Sequence, residues 1–424
     1  MLIEFSVENF LSFNERVTLS LVAAPELDEA DGLVENTFEA PGGIRLLKSA
    51  LIYGANASGK SNLVKAVRFA RDFVLGSAKE TQAGEPINVK PFLLGPTAAE
   101  RGSSFELVWI ADNVRYRYGF SVDSSRVLEE VLLRASPGDD SEVELFRRDT
   151  AGIQVGERFA EGRDVESKTR PNALFLSVVA QLNGKESQRI LDWFRLRLGL
   201  ASGLQDERLL GFTVKQVRAG LWTEEILRLA READLGITGV STRDITFTAE
   251  MLPADLSEGV RKRLLSGELE TLRIRHRRFD STGQPVGEAD FDLDDESEGT
   301  QKFIALAGPL LYVLKDGTAL VLDELDARLH SRLARAVVSL FHTESNPKNA
   351  QLVATTHDTN LLDRHLVRRD QIWFTEKDRC GATKLYSLAE FDLPPEAHYE
   401  RDYLLGKYGA VPIIGELVKP EAAK

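Results

Sequence analysis

Eight consecutive residues, Gly54-Ala55-Asn56-Ala57-Ser58-Gly59-Lys60-Ser61, carry the strongest chemical signal in the chain. Their spacing is G-x-x-x-x-G-K-[ST], a pattern suited to gripping phosphate. The glycines let the backbone turn so that successive N–H groups point inward at phosphate oxygens. Lys60 can reach the outer phosphates as a point charge, and Ser61 offers its hydroxyl to Mg²⁺. The flanks suit the pattern. Ala50 to Tyr53 predicts a buried strand before the loop, and Leu63, Val64, Val67, Ala70 and Val74 follow helical spacing after it. A nucleoside-triphosphate site is expected, with Gly54, Asn56, Ala57, Ser58, Gly59, Lys60, Ser61 and Asn62 around the nucleotide.

Three later stretches supply the side chains such a site needs. In "TALVLDELDARLH" the apolar residues Ala319 to Leu322 predict a buried strand that ends in Asp323-Glu324. An acid there faces the ligand crevice of an α/β sheet. Asp323 can support Mg²⁺ beside Ser61, and Glu324 can orient or deprotonate an attacking water. In "LVATTHDTNLLD" a second strand places His357 on the same sheet edge, where an imidazole can hydrogen-bond the γ-phosphate. In "FDLDDESEGTQKFIAL" the turn Ser297-Glu298-Gly299 opens a helix from Thr300 to about Leu314, 26 positions before Asp323 (323 − 297). A helix start aims N–H groups at an anion. Taken singly, these stretches also read as a strand running into a turn, a structural histidine and an ordinary helix cap. Their order behind a phosphate loop favours the ligand-binding readings.

The elements that must position these residues follow from periodicity. "LIEFSVENFLSF" and "RVTLSLV" alternate apolar and polar residues as strands do, and "SSFELVWIADNVRYRYGFSV" predicts a hairpin turned at Asp112-Asn113. From about Asn183 to Leu265 the texture is helical and rich in Arg and Glu. The last third alternates helix and strand, the pattern of a largely parallel sheet. Hydrophobic residues make up 43% and charged residues 28%, the balance of a soluble globular protein. A net charge of −13 argues against a surface that coats nucleic acid indiscriminately. No signal peptide is read at the N-terminus, the longest apolar run is broken by Gly308 and Pro309, and the single Cys380 has no intrachain partner. A cytosolic protein without membrane contact is expected. "RIRHRR" (273–278) would put Arg273, Arg275 and Arg277 on one strand face, either to hold a phosphate backbone or to pair with nearby acids. Pairing is the plainer reading.

The four signals in this order resemble the ATP-binding-cassette (ABC) ATPases of the RecF- and SMC-like group, and "NFLSF" at 9–13 is similar to that group's first strand. "SEGTQK", "DELDARLH", "TTHDTNLLD" and the tail from "DQIWFTEKDRCGATKLYSLAEF" resemble ATPase subunits of bacterial anti-phage and abortive-infection systems, the PARIS type among them. The resemblance covers about the first 120 residues and nearly everything after 270. It implies an α/β fold, an ABC ATPase head with an N-terminal antiparallel β lobe, a RecA-like mainly parallel sheet and a helical insertion. The implied parts are 1–120 with the phosphate loop, 121–270 as a strand and helical insertion that serves as lid or partner site, and 271–424 with the remaining motifs. ATP and Mg²⁺ are the implied ligands, with Glu324, Lys60 and His357 catalytic and Ser61 and Asp323 on the metal. Ser297 and Gly299 would act on the nucleotide of a second copy in a homodimer or larger assembly, with Leu329-His330 at the inter-subunit loop. Glu298 stands where the family usually has glycine. A companion effector from a neighbouring gene, such as a nuclease, and a phage-encoded trigger are the implied partners. A RecF-like enzyme that clamps DNA directly is the alternative.

Overall fold

In the computed structural model, residues 1–27, 32–95, 101–139, 141–245, 248–253, 256–265, 269–394 and 396–412 are described. Every candidate site residue falls among them, while 413–424 of the expected C-terminal part lies outside the described residues.

Alternation sets the first strands. β1 (Leu2–Glu8) buries Leu2, Ile3, Phe5 and Val7 and pairs antiparallel with β2 (Val17–Ser20). β3 (Thr37–Glu39) and β4 (Arg45–Leu47) form a small hairpin. β5 (Ser49–Tyr53), buried throughout, leads through the glycine-rich loop into helix α1 (Lys60–Gly76). β6 (Ser103–Ala111) and β7 (Val114–Val122) turn at Asp112 and Asn113, whose φ angles of 48° and 59° are those of a two-residue hairpin. β8 (Val127–Ala135), β9 (Val143–Asp149) and β10 (Gly152–Val155) continue the same sheet. The result is seven antiparallel strands in the order β10-β9-β8-β7-β6-β1-β2. Strands β8 to β10, within the 121–270 span, therefore pair in the N-terminal lobe.

The chain continues through α2 (Phe175–Gln181), α3 (Lys185–Leu196), β11 (Leu198–Ser202), α4 (Asp206–Arg218), α5 (Thr223–Glu232) and β12 (Ile237–Ile245). Then come α6 (Glu258–Leu265), β13 (Leu269–Phe279), β14 (Pro285–Asp292), α7 (Glu298–Asp316) and β15 (Ala319–Asp323). The last elements are α8 (Ser331–His342), β16 (Gln351–Thr355), β17 (Ile372–Lys377), β18 (Thr383–Ser387) and α9 (Tyr399–Leu404). A second sheet runs β11-β15-β16-β5-β17-β18. β15, β16, β5 and β17 are parallel, and β18 closes that edge antiparallel.

Two compact units emerge: Met1–Leu200 with Asp316–Glu324 and Val338–Lys424, and Ala201–Lys315 with Leu325–Val337. In the first, the apolar stripe of α1 (Leu63, Val64, Val67, Ala70, Val74) shares one core with Phe5, Phe105 and Trp109 of the lobe and Ile52, Val321 and Val353 of the parallel sheet. That burial fixes the helix behind the glycine-rich loop, at roughly 1.5–3 kcal/mol for each large side chain.

The second unit holds α4 to α7 and the sheet β12-β13-β14. Pro309 lies inside α7, and because proline has no N–H the carbonyl of Ala305 loses its helical donor. Thr213 Oγ1 donates to that carbonyl at 2.9 Å. Gly308 makes the approach possible, since a Cβ there would lie 2.5 Å from the Thr213 hydroxyl. On β13, Leu272 and Ile274 are buried while Arg273, Arg275 and Arg277 stand opposite Asp292, Asp290 and Glu288 of β14. Arg275 meets Asp290 at 2.8 Å and Arg273 meets Asp292 at 3.7 Å, so these arginines take the acid-pairing role. Among the described residues no helix is long and apolar enough to cross a membrane.

Candidate functional site

The parallel register of β15, β16 and β5 brings the carboxyl ends of these strands side by side. Such an edge is where open α/β sheets bind ligands. The loop leaving β5 is shaped by two glycines in left-handed territory, Gly54 (φ 152°) and Gly59 (φ 122°). A Cβ on Gly54 would lie 2.4 Å from the Thr375 carbonyl, and one on Gly59 would lie 2.3 Å from Thr383 Oγ1. The cradle therefore closes only around glycine. Ala57 adds a third positive φ at 61°. Lys60 is buried, with Nζ donating to the carbonyls of Gly54 (2.7 Å) and Ala55 (3.2 Å).

The acids of β15 sit beside the first turn of α1. Ser61 Oγ donates to Asp323 Oδ1 at 3.1 Å, and Thr355 Oγ1 donates to the same oxygen at 2.6 Å. The N–H of Glu324 donates to Thr355 Oγ1 at 2.8 Å. Glu324 has φ 55°, a left-handed conformation that costs a non-glycine residue roughly 1–3 kcal/mol and gathers at functional sites. Asn56 to Asn62, Lys65, Glu324, His357 and Lys377 together line a cavity of about 410 Å³. The structure thus gathers the phosphate-loop residues, Glu324 and His357 around one opening, with Asp323 hydrogen-bonded to Ser61 at its base. A larger cavity of about 670 Å³, lined by parts of 360–365 and 396–401, includes none of them.

The N-terminal "NFLSF" segment buttresses the loop. Asn62 Nδ2 donates to Ser12 Oγ (2.9 Å), and the N–H of Thr383 donates to the Ser12 carbonyl (2.7 Å). Thr383 Oγ1 donates to the Ser58 carbonyl at 2.7 Å, and Ser58 Oγ lies 2.6 Å from Thr375 Oγ1. Sequence reasoning missed Ser12, Thr375, Thr383, Lys65 and Lys377. Lys65 had a signal, standing four positions after Ser61 on the same helix face. Lys377 had none, because only the pairing of β17 with β5 brings it to this edge.

Ser297 and Gly299 belong to the second unit. Ser297 is exposed, and its Oγ accepts from the N–H of Thr300 at 3.1 Å, capping the first turn of α7. Glu298 points into solvent, 79% exposed and 4.0 Å from Arg328. A Cβ on Gly299 would meet only the Arg328 carbonyl at 3.4 Å and the Ser297 hydroxyl at 3.9 Å. Leu329 is buried, whereas His330 is exposed and accepts from the N–H of Arg332 at 3.2 Å.

The donor chemistry fits Mg²⁺. That ion takes hard oxygen ligands, commonly one or two carboxylates together with substrate phosphates, and Ser61 with Asp323 offers a hydroxyl and a carboxylate on one hydrogen bond. Among the described residues no group of three or more His, Cys, Asp or Glu side chains is assembled for a metal.

Residues 49–363 match the protein family described as "AAA domain, putative AbiEii toxin, Type IV TA system". No curated protein sequence matches the chain. Among solved structures, the SMC head domain from Thermotoga maritima is 15% identical, covers 92% of this chain and 99% of its own, and superposes with a TM-score of 0.42. An Smc head bound to the C-winged helix domain of ScpA is 15% identical over 91% of this chain and 97% of its own, with a TM-score of 0.45. An Smc head domain with an extended coiled coil bound to the C-terminal domain of ScpA, derived from Pyrococcus furiosus, is 15% identical over 96% and 98%, with a TM-score of 0.36.

Proposed function

The chain belongs to that AAA-domain family and is an ATP-hydrolysing enzyme, and from this premise we propose that two copies close on two ATP molecules, each phosphate loop being completed by the Ser297–Gly299 turn of the other copy. The observation that carries the reading is the hydrogen-bonded run Ser61–Asp323–Thr355–Glu324 beneath the glycine cradle. It brings a hydroxyl, a metal-side acid and a water-side acid to one strand edge, as phosphoryl transfer to water requires.

In this mechanism the N–H groups of residues 54–61 and the start of α1 hold the phosphates. Lys60 exchanges the carbonyls of Gly54 and Ala55 for the outer phosphate oxygens. Ser61 and Asp323 would hold Mg²⁺, which when bound would supply charge neutralisation at the phosphate oxygens. Glu324 orients the attacking water and takes its proton. His357 hydrogen-bonds the γ-phosphate and loses that contact after hydrolysis. Ser297 and the N–H groups that open α7 grip the γ-phosphate from the second copy, and the outward-facing Glu298 keeps its charge in solvent.

We assign the switch to anti-phage defence, with closure on ATP holding a toxic companion protein and hydrolysis releasing it. The toxin-antitoxin description of the family supports this assignment. DNA clamping is the second reading, and the paired arginines of β13 weigh against it. The test is to purify Glu324→Gln with Mg²⁺-ATP after expression with the product of the neighbouring gene. Co-elution of that product, and its loss when nucleotide is washed out, supports the effector reading. Salt-dependent retention of DNA with no companion protein transfers the function to DNA clamping.

A further inference from the structure

Two adjacent threonines, Thr355 ending β16 and Thr356 following it, lie at the site's edge, and the mechanism above assigns neither a role in the reaction. Both are buried, Thr355 at 1% exposure and Thr356 at 0%. Thr356 serves its own turn, its Oγ1 accepting from the N–H of Asp358 at 3.0 Å. Thr355 reaches across to β15. Its hydroxyl donates to Asp323 Oδ1 at 2.6 Å and accepts from the N–H of Glu324 at 2.8 Å. The first contact sets the rotation of the Asp323 carboxylate. The second holds Glu324 at φ 55°, where a non-glycine residue stays only under outside constraint.

We propose that Thr355 is a positioning residue for hydrolysis: one buried hydroxyl, two residues before His357, orients the metal-side acid Asp323 and the water-side acid Glu324 together. The inference rests on the roles assigned to those acids under Proposed function. Ser61 is a second hydroxyl donor to Asp323 Oδ1. Its oxygen would also serve as a ligand when Mg²⁺ is bound, which would leave Thr355 as the donor that holds the carboxylate throughout.

Valine has nearly the shape of threonine but no hydroxyl, which leaves the Glu324 N–H without its acceptor. Thr355→Val is expected to bind ATP in EDTA within about twofold of wild type, because the phosphate loop itself is untouched. The extra ATP affinity conferred by Mg²⁺ shrinks, and the Mg²⁺ concentration for half-maximal turnover rises, each by about 10–100-fold. Thr355→Ser restores both, and Thr355→Cys, a weaker donor of similar size, falls between. The cysteine chain carries the test if the valine chain does not fold. Wild-type Mg²⁺ dependence in the valine or cysteine variant overturns the inference, as does a folded serine variant that fails to rescue. Glu324→Gln run in parallel separates the two claims. If it keeps full turnover, the acid assignment falls and this inference with it; if it is inactive while Thr355→Val behaves as wild type, only the Thr355 inference falls.

Discussion

The two ends of the parallel sheet are both polar, yet they are built on opposite plans. At the amino ends, Ser49, Gln351 and Gln371 begin or precede β5, β16 and β17, and all three are buried. Gln371 Nε2 donates to Ser49 Oγ at 2.8 Å, and its Oε1 accepts from Asn36 Nδ2 (2.7 Å) and the N–H of Arg368 (2.9 Å). His342 Nε2 lies 2.9 Å from Ser49 Oγ, inside the same network. At the carboxyl ends the polar groups line an open cavity, one of them on strained backbone at Glu324. Each end has a histidine, His342 buried and His357 exposed. Polar residue type at a strand end therefore says little about function. Openness and strain mark the end proposed to be reactive, and internal hydrogen bonding marks the structural one.

The sharpest way to break this contrast is to change one end and read the other's property. Glu324→Gln is expected to lower ATP turnover by about 10²–10⁴-fold while leaving the unfolding midpoint in place. Steady-state phosphate release and thermal unfolding, run on one preparation, check both halves. Gln371→Ala should do the reverse. It leaves the N–H of Arg368 buried without its acceptor and takes one of two acceptors from Asn36 Nδ2, which keeps the Leu366 carbonyl, at a cost of about 2–4 kcal/mol in denaturant unfolding, with turnover per folded molecule unchanged. A large loss of turnover in that variant would erase the distinction between the two ends.

A smaller effect comes from His342, whose imidazole burial pushes down to about 3, with Lys48 nearby adding to the shift. The unfolded chain takes up this proton near 6.5 while the folded chain refuses it until about 3. The contribution of His342 is thus complete above 6.5 and is lost progressively as pH falls toward 3. Between pH 7 and pH 5 it should lower unfolding free energy by about 2 kcal/mol, read as a drop in urea midpoint.

The contrast also explains what could be read from residue order. The phosphate loop, Asp323-Glu324 and His357 each sit in a short stretch whose spacing carries its own chemistry. Members of the buried network lie far apart, Asn36 being 335 positions from Gln371, and no local pattern links them. Thr355 and Ser12 were out of reach for a related reason. A threonine ending an apolar strand looks the same whether it caps its own turn, as Thr356 does, or crosses to the neighbouring strand. Residues 121–270 are expected as a strand and helical insertion, and only the pairing of β7 with β8 and of β8 with β9 assigns the strands after Val122 to the lobe sheet.

The central proposal is that one copy's phosphate loop is completed by another copy's Ser297–Gly299 turn. Its most direct test is the molar mass in solution of Glu324→Gln at saturating Mg²⁺-ATP, beside the double variant Glu324→Gln/Ser297→Arg, with bound nucleotide quantified in both. Completion in trans predicts that both proteins bind ATP and that only the first doubles in mass. A Glu324→Gln protein that stays monomeric while saturated with ATP, or a doubling indifferent to Ser297→Arg, would contradict it.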